Sequence, residues 1–281
     1  MAHMDLAQAL GFILLGFGTG AYGTLIGAGG GFVLMPLLLL LFPNEQADVL
    51  TSISLAVVFF NAASGTGAYA SMRRIDYRSG LAFALAATPG AVLGALGTGL
   101  LPRRAFDTIF GALLVAGAVF LIMRSPRPGS QPRARTEGEG GHLTHRRIVD
   151  SQGVVHEYAF PLRRGVVISV FVGFVSSFLG IGGGIIHVPA MIYLLDFPVH
   201  VATATSHFVL MLMALAGTLT HVAIGSFHHG LERTLYLSIG VLGGAQAGAY
   251  LSNHIKGRFI IQSLALALAF VGARILLLGL S

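Results

Sequence analysis

The chain contains no cysteine, so disulfides, thiolate metal sites and sulfur redox chemistry are all excluded. It contains no tryptophan either, and only 10% of its 281 residues are charged. The bodies of its apolar runs hold no Asp, Glu or Lys. Their one basic residue is Arg274, near the C-terminal end, where a long side chain can snorkel to an interface. A cation in hydrocarbon is normally met by an intramembrane carboxylate, so this absence argues against a cation path. No G-x-S-x-G elbow and no H-E-x-x-H pair occurs, which removes the commonest signatures of a membrane hydrolase or zinc protease. The histidines show no paired ligand spacing on one face, and neither a metal nor a cofactor is expected.

What remains is largely apolar. Hydrophobic residues make up 54% of the sequence, in several runs of about 20 residues, the length that crosses a bilayer, and the chain reads as an all-α integral membrane protein. The net charge of +6 is no nucleic-acid signature, because eight of the 17 basic residues (Arg124, Arg127, Arg133, Arg135, Arg146, Arg147, Arg163 and Arg164) fall in residues 124–164. They orient the protein, with that segment cytoplasmic. Met1, Ala2, His3 and Met4 resemble an expression scar, and the segment after them lacks the basic start and processing site of a signal peptide. Apolar segments are expected at about Leu6–Ile26, Phe32–Phe42, Val49–Met72 and Leu81–Leu101, with a fifth ending near Met123. Residues 124–164, rich in proline, glycine and charge, read as a solvated linker, with VVHEYAF at 154–160 either a short strand or an interfacial element.

Glycine is abundant where charge is scarce, and two stretches stand out: GAGGGFVLMP at 27–36 and GIGGGIIHVP at 180–189. Each sets glycines between two apolar helical segments and follows them with proline. The second half lies on the first at an offset of 152–155: Gly20 with Gly173, Gly27 with Gly180, Pro36 with Pro189, Thr51 and Ser52 with Thr205 and Ser206, Gly65 and Thr66 with Gly217 and Thr218, Gly94 with Gly248. The chain is an internal duplication, with a first membrane repeat over 5–123, the linker over 124–164 and a second repeat over 165–281. The series Gly90, Gly94, Gly97 and Gly240, Gly244, Gly248 read as close-packing faces between helices.

Each glycine-broken pair is either one broken span or a re-entrant hairpin of two half-helices. A hairpin leaves three transmembrane helices per repeat, and an odd number inverts the second repeat relative to the first. That arrangement puts Arg73, Arg74, Arg78, Lys256 and Arg258 on the cytoplasmic side and only Arg103, Arg104 and Arg233 outside, which fits the positive-inside rule slightly better than parallel repeats. Two inverted repeats, each a broken pair plus three spans, are the expected architecture, a recurrent transporter design.

Glycine N–H groups and helix N-termini in a carboxylate-free interior suit an anion. The candidate binding residues are Gly29, Gly30, Gly31, Thr51, Ser52 and Asn61 in the first repeat, and Gly182, Gly183, Gly184, Thr205, Ser206 and His207 in the second. Thr203, His207, Thr218 and His221 lie close to one helical stripe, and the matching stripe in the first repeat carries Ser54 and Asn61. An imidazole is the group able to change charge near neutral pH, so His207, and next His187, are the candidate coupling residues.

The pattern G-x-G-G-G with proline five residues on, a surface turn, and A-x-x-x-T-S-like segments at Ala47–Ser52 and Ala202–Ser206, duplicated about a polar linker, resembles the sulfite exporter TauE/SafE family. The resemblance covers nearly everything outside the linker and termini. It implies a multi-pass transporter of the bacterial inner membrane for small sulfur-containing anions such as sulfite, thiosulfate or sulfonates, or for related carboxylates, with lipid and no nucleic acid as its surroundings. A passive anion channel is the alternative, and a polytopic membrane enzyme a more distant one. The repeats depart from symmetry at Ala28 against Ile181, Leu34 against His187 and Ile53 against His207.

Overall fold

The computed structural model describes residues 5–123 and 143–280, so the reading of Met1–Met4 and that of the first part of the linker, residues 124–142, lie outside the described residues. Five helices, α1 (Leu6–Leu25), α2 (Gly31–Leu41), α3 (Ala47–Ser71), α4 (Tyr77–Gly97) and α5 (Arg103–Met123), precede a hairpin of β1 (Thr144–Val149) and β2 (Val155–Phe160). Five more follow: α6 (Leu162–Leu179), α7 (Gly184–Leu194), α8 (Val199–Ala223), α9 (Leu231–Ser252) and α10 (Gly257–Leu280). Seven of the described helices are long and apolar enough to cross a bilayer, while α2 and α7 are shorter apolar helices. The chain is an all-α, multi-pass membrane protein.

The arms of each broken pair run back along each other. Phe12 near the start of α1 stacks on Phe42 just past α2, at 6.3 Å between centroids, and Tyr22 lies 6.1 Å from Phe32. In the second pair Ser169 on α6 meets His187 on α7. Both pairs are hairpins. Their first arms are longer than half-helices, with 20 residues in α1 and 18 in α6. They end deep in the fold, where the Gly27 turn abuts Thr203, one turn into α8, and the Gly180 turn abuts Thr51, one turn into α3.

α3 and α8 are the most buried of the candidate spans, and α1, α4, α5, α6, α9 and α10 each expose large apolar side chains outward. The repeats interlock: α1 packs on α9, α6 on α4, α3 on α8 and α5 on α10. Contacts at glycines give the directions. A side chain at Gly65 would strike His207 and one at Gly217 would strike Leu55, so α3 and α8 run antiparallel; Gly111 against Leu276 and Gly272 against Leu114 make α5 and α10 antiparallel too. The glycine series predicted as packing faces are that. A methyl group at Gly90 or Gly94 would overlap the Val170 or Phe174 carbonyl, and one at Gly240 or Gly244 that of Ile13 or Phe17.

Two readings of the sequence shift. α3 and α8 are both 25 residues long, and the reciprocal contacts above align them at an offset of 152. The copy of Thr51 is therefore Thr203, and that of Ser206 is Ser54. The segment assigned to the linker is folded from residue 144 onward. Its β-hairpin pairs Thr144 with Phe160 and Val149 with Val155, and α6 already contains Arg163 and Arg164. Alternation explains the strand: Tyr158 and Phe160 turn inward onto Phe197, with ring centroids 4.5 and 4.8 Å from it.

Candidate functional site

The two glycine breaks cross at the centre of the molecule. Gly27, Gly29, Gly30, Gly180, Gly182 and Gly183 all have φ between 68° and 83°, the left-handed region that glycine enters without strain. Missing side chains let the hairpins touch: Gly184 sits on the Ala28 backbone, and Gly31 faces the Ile181 carbonyl. The N–H groups of Gly30 and Gly31 make no backbone hydrogen bond, nor do those of Gly182, Gly183 and Gly184, whereas that of Gly29 donates to the Gly23 carbonyl at 3.1 Å. The space beside them is apolar, since Leu210 lies over Gly29 and Val58 over Gly31 and Gly182.

A polar cluster lies about one turn away, on the side of the β-hairpin. His207 Nε2 is 3.2 Å from Thr24 Oγ1, which donates to Asn61 Oδ1 at 3.3 Å. The Tyr69 hydroxyl donates to the Thr24 carbonyl at 2.7 Å, and its ring meets the His207 ring edge to face at 5.4 Å. Thr24, Asn61 and His207 are fully buried, and Asn61 Nδ2 has no hydrogen-bond partner. With Thr24 donating to Asn61, the imidazole must donate through Nε2–H, so the chain of donors runs from His207 to Asn61 and ends in a free N–H. An acceptor is the ligand such an end can take.

The structure thus brings His207 and Asn61 together from opposite repeats, joined by Thr24 and Tyr69, which sequence reasoning missed. Position was the available signal for Thr24: it stands one turn before Gly27, as Ser177 stands before Gly180. The other candidates separate. Ser52 donates back to the Val49 carbonyl at 2.7 Å, and Ser54 donates to the Gly180 carbonyl at 2.6 Å, holding the second hairpin turn. Thr51 Oγ1 and Ser206 Oγ are buried without partners. Thr205 Oγ1 accepts the Asp76 N–H at 3.0 Å. His187 Nε2 pairs with Ser169 Oγ at 3.1 Å and its ring lies 5.7 Å from Phe83, in the aromatic cluster under the β-hairpin and not with His207.

That hairpin closes one end of the cluster. Asp76 caps α4 through the Ser79 N–H at 3.1 Å and accepts from the Tyr158 hydroxyl at 2.9 Å, with Arg146 Nε at 3.3 Å. Burial, and next the neighbouring Asp76 charge, push the Tyr158 hydroxyl pKa up. Arg74 holds Asp150 at 3.4 Å and Asn253 at 2.7 Å, so the β-hairpin is tied to the turns that follow α3 and α9. Burial works to raise the Asp150 pKa, but the Val154 and Gln152 N–H groups, His156 and the Arg74 guanidinium together hold it below its ordinary value. Among the described residues no three His, Asp or Glu side chains converge as a metal site would require.

Comparison with known proteins agrees in class. A family profile described as "Sulfite exporter TauE/SafE" matches residues 12–275. The chain is 30% identical over 274 residues to the probable membrane transporter protein YunE of Bacillus subtilis, covering 95% of this chain and 97% of that protein. A probable membrane transporter protein of Methanocaldococcus jannaschii is 22% identical over 277 residues, 94% of each chain, and one of Xylella fastidiosa is 26% identical over 261 residues, 88% of each. No solved structure matches the chain significantly.

Proposed function

Because the chain belongs to the sulfite exporter TauE/SafE family of membrane proteins, we propose that it is a secondary transporter of small oxyanions, sulfite or organosulfonates foremost. The anion is held where the donor chain ends, at Asn61, between the glycine breaks of two inverted repeats. The observation that carries this reading is the unpaired and fully buried Asn61 Nδ2. The antiparallel course of α3 against its copy α8 supports the inversion. Gly30, Gly31 and Gly182 to Gly184 supply further unpaired N–H groups once Val58 and Leu210 move aside. Inverted repeats provide such a movement by rocking one repeat against the other. His207 orients the chain by its tautomer, and as the titratable member of it is the coupling group.

Asn61→Leu tests the reading, since it keeps the side chain branched at Cγ and removes the amide. In proteoliposomes screened with sulfite, thiosulfate, a sulfonate and a carboxylate, wild type should show counterflow of at least one anion. The variant should bind that anion roughly 10- to 100-fold more weakly, the value of a hydrogen bond to a charged group. Unchanged affinity would remove Asn61 from the site. Flux without counterflow would make the protein a channel.

A further inference from the structure

The two repeats leave unequal polar clusters on opposite sides of the glycine crossing. Gly65 and Thr66 have Gly217 and Thr218 as copies, Thr24 has Ser177, and the surroundings are copied with them. A side chain at Gly65 would meet His207 and Thr24, and one at Gly217 would meet Leu55 and Ser177. The contents differ, first of all at the lock. Tyr69, whose hydroxyl locks the first cluster onto the Thr24 carbonyl, has His221 as its copy. An imidazole is shorter than a phenol, and neither nitrogen of the fully buried His221 has a partner. Ser177 Oγ and Thr218 Oγ1 are likewise buried and unpartnered. Buried polar groups are nearly always hydrogen-bonded, and unpaired atoms gathered on copied positions need an explanation.

We propose that Ser177, Thr218 and His221 form a second station for the transported oxyanion, on the side of the protein remote from the β-hairpin. Two hydroxyls and one imidazole N–H are three neutral donors for the oxygens of a small anion. With Leu55 and Met213 standing where the first cluster has His207 and Asn61, this station has no directed donor chain. It meets or releases the solute, and the first station selects it. The proposal rests on the transport reading above.

The test is to install the missing lock. His221→Tyr supplies the group Tyr69 provides, and His221→Phe fills the same space without the hydroxyl. Half-saturation for sulfite is measured from each side in vesicles of one orientation. Both variants should raise it by about tenfold or more on the side remote from the β-hairpin and leave the hairpin side within about twofold, as loss of direct hydrogen bonds to a charged ligand requires. Ser177→Ala removes one unpartnered hydroxyl and preserves the test if the aromatic variants fail to fold; it should act on the same side. Equal effects on both sides, or none on either, overturn the second station. Loss of sidedness in these variants while Asn61→Leu still weakens binding leaves the transport reading standing. A wild-type protein that carries no anion brings down both.

Discussion

The backbone N–H of Asp76 donates to Thr205 Oγ1 at 3.0 Å, so the turn between α3 and α4 is fastened to α8 two residues before His207. The Asp76 carboxylate faces the other way, toward Tyr158 and Arg146 of the β-hairpin. One residue therefore connects the segment between the repeats to the helix that carries the buried imidazole.

Asp76→Asn keeps the cap on α4 but weakens the charge-assisted bonds to Arg146 and Tyr158. The expected cost is about 1.5–3 kcal/mol. It should appear as a Tm lowered by several degrees and as faster proteolysis after Arg146 and Arg147. An unchanged proteolysis pattern would mean that the aromatic contacts of Tyr158 and Phe160 hold the β-hairpin alone.

Acid should release the hairpin late. The folded pKa of Asp150 is depressed, so its ionised form contributes stability that is complete above the unfolded value of about 3.9 and fades as pH falls through the folded value. In a tryptophan-free chain, a single tryptophan at the exposed Val154 reports docking without background. Its emission should stay constant from about pH 7 to about pH 4 and shift only below that. A transition near neutral pH would take control of docking away from Asp150.

The break glycines should prove intolerant for packing reasons before any question of binding arises. At Gly30, φ is 77° and a Cβ would lie 2.7 Å from the Thr19 carbonyl; at Gly183, φ is 83° and it would lie 2.5 Å from Ser176 Oγ. Alanine at either should abolish monodisperse protein in size-exclusion chromatography. Gly18→Ala and Gly67→Ala, which meet nothing within 4 Å, should be silent. A folded Gly30→Ala protein would show that the hairpin turn can relax.

The proposed inverted arrangement is tested by membrane sidedness. Without native cysteines, single cysteines at Asn44 and Ser226 should react with an impermeant reagent from one side and one at Val154 from the other. Reaction of Ser226 from the Val154 side would leave the repeats parallel.

The His207→Gln variant keeps a donor of similar reach to Thr24 but cannot titrate. It should retain binding and flatten the pH profile of uptake for a permanently ionised sulfonate, whose own charge does not change with pH. An unaltered profile would free His207 of the coupling role and leave it as the orienter of Thr24.

Much of this architecture was legible because a bilayer imposes few choices. Run length, missing carboxylates and a repeated glycine signature need no long-range information, and they determined a duplicated helical membrane protein with its breaks at Gly27–Gly31 and Gly180–Gly184. Even so, the A-x-x-x-T-S resemblance misaligned Thr51 by two residues, since a short motif can match out of register while two helices of equal length cannot. The linker was legible in part: the strand read at 154–160 forms β2, but its pairing with β1 was not readable, since the inward face of β2, Tyr158 and Phe160, has no partner until Phe197 is brought beneath it.

What only the tertiary structure decided is how the polar groups are distributed. Along the sequence Asn61 and His207 are two polar candidates among many, Thr24 draws no notice, and Ser52, Ser54 and Thr205 look equally suited to a ligand. Backbone carbonyls and N–H groups claim the last three, and antiparallel packing of α3 on α8 leaves the first three in one chain of donors with a free end. Composition and periodicity record which side chains face inward, but hydrogen-bond satisfaction depends on what lies opposite, and that is set by the crossing of the two hairpins.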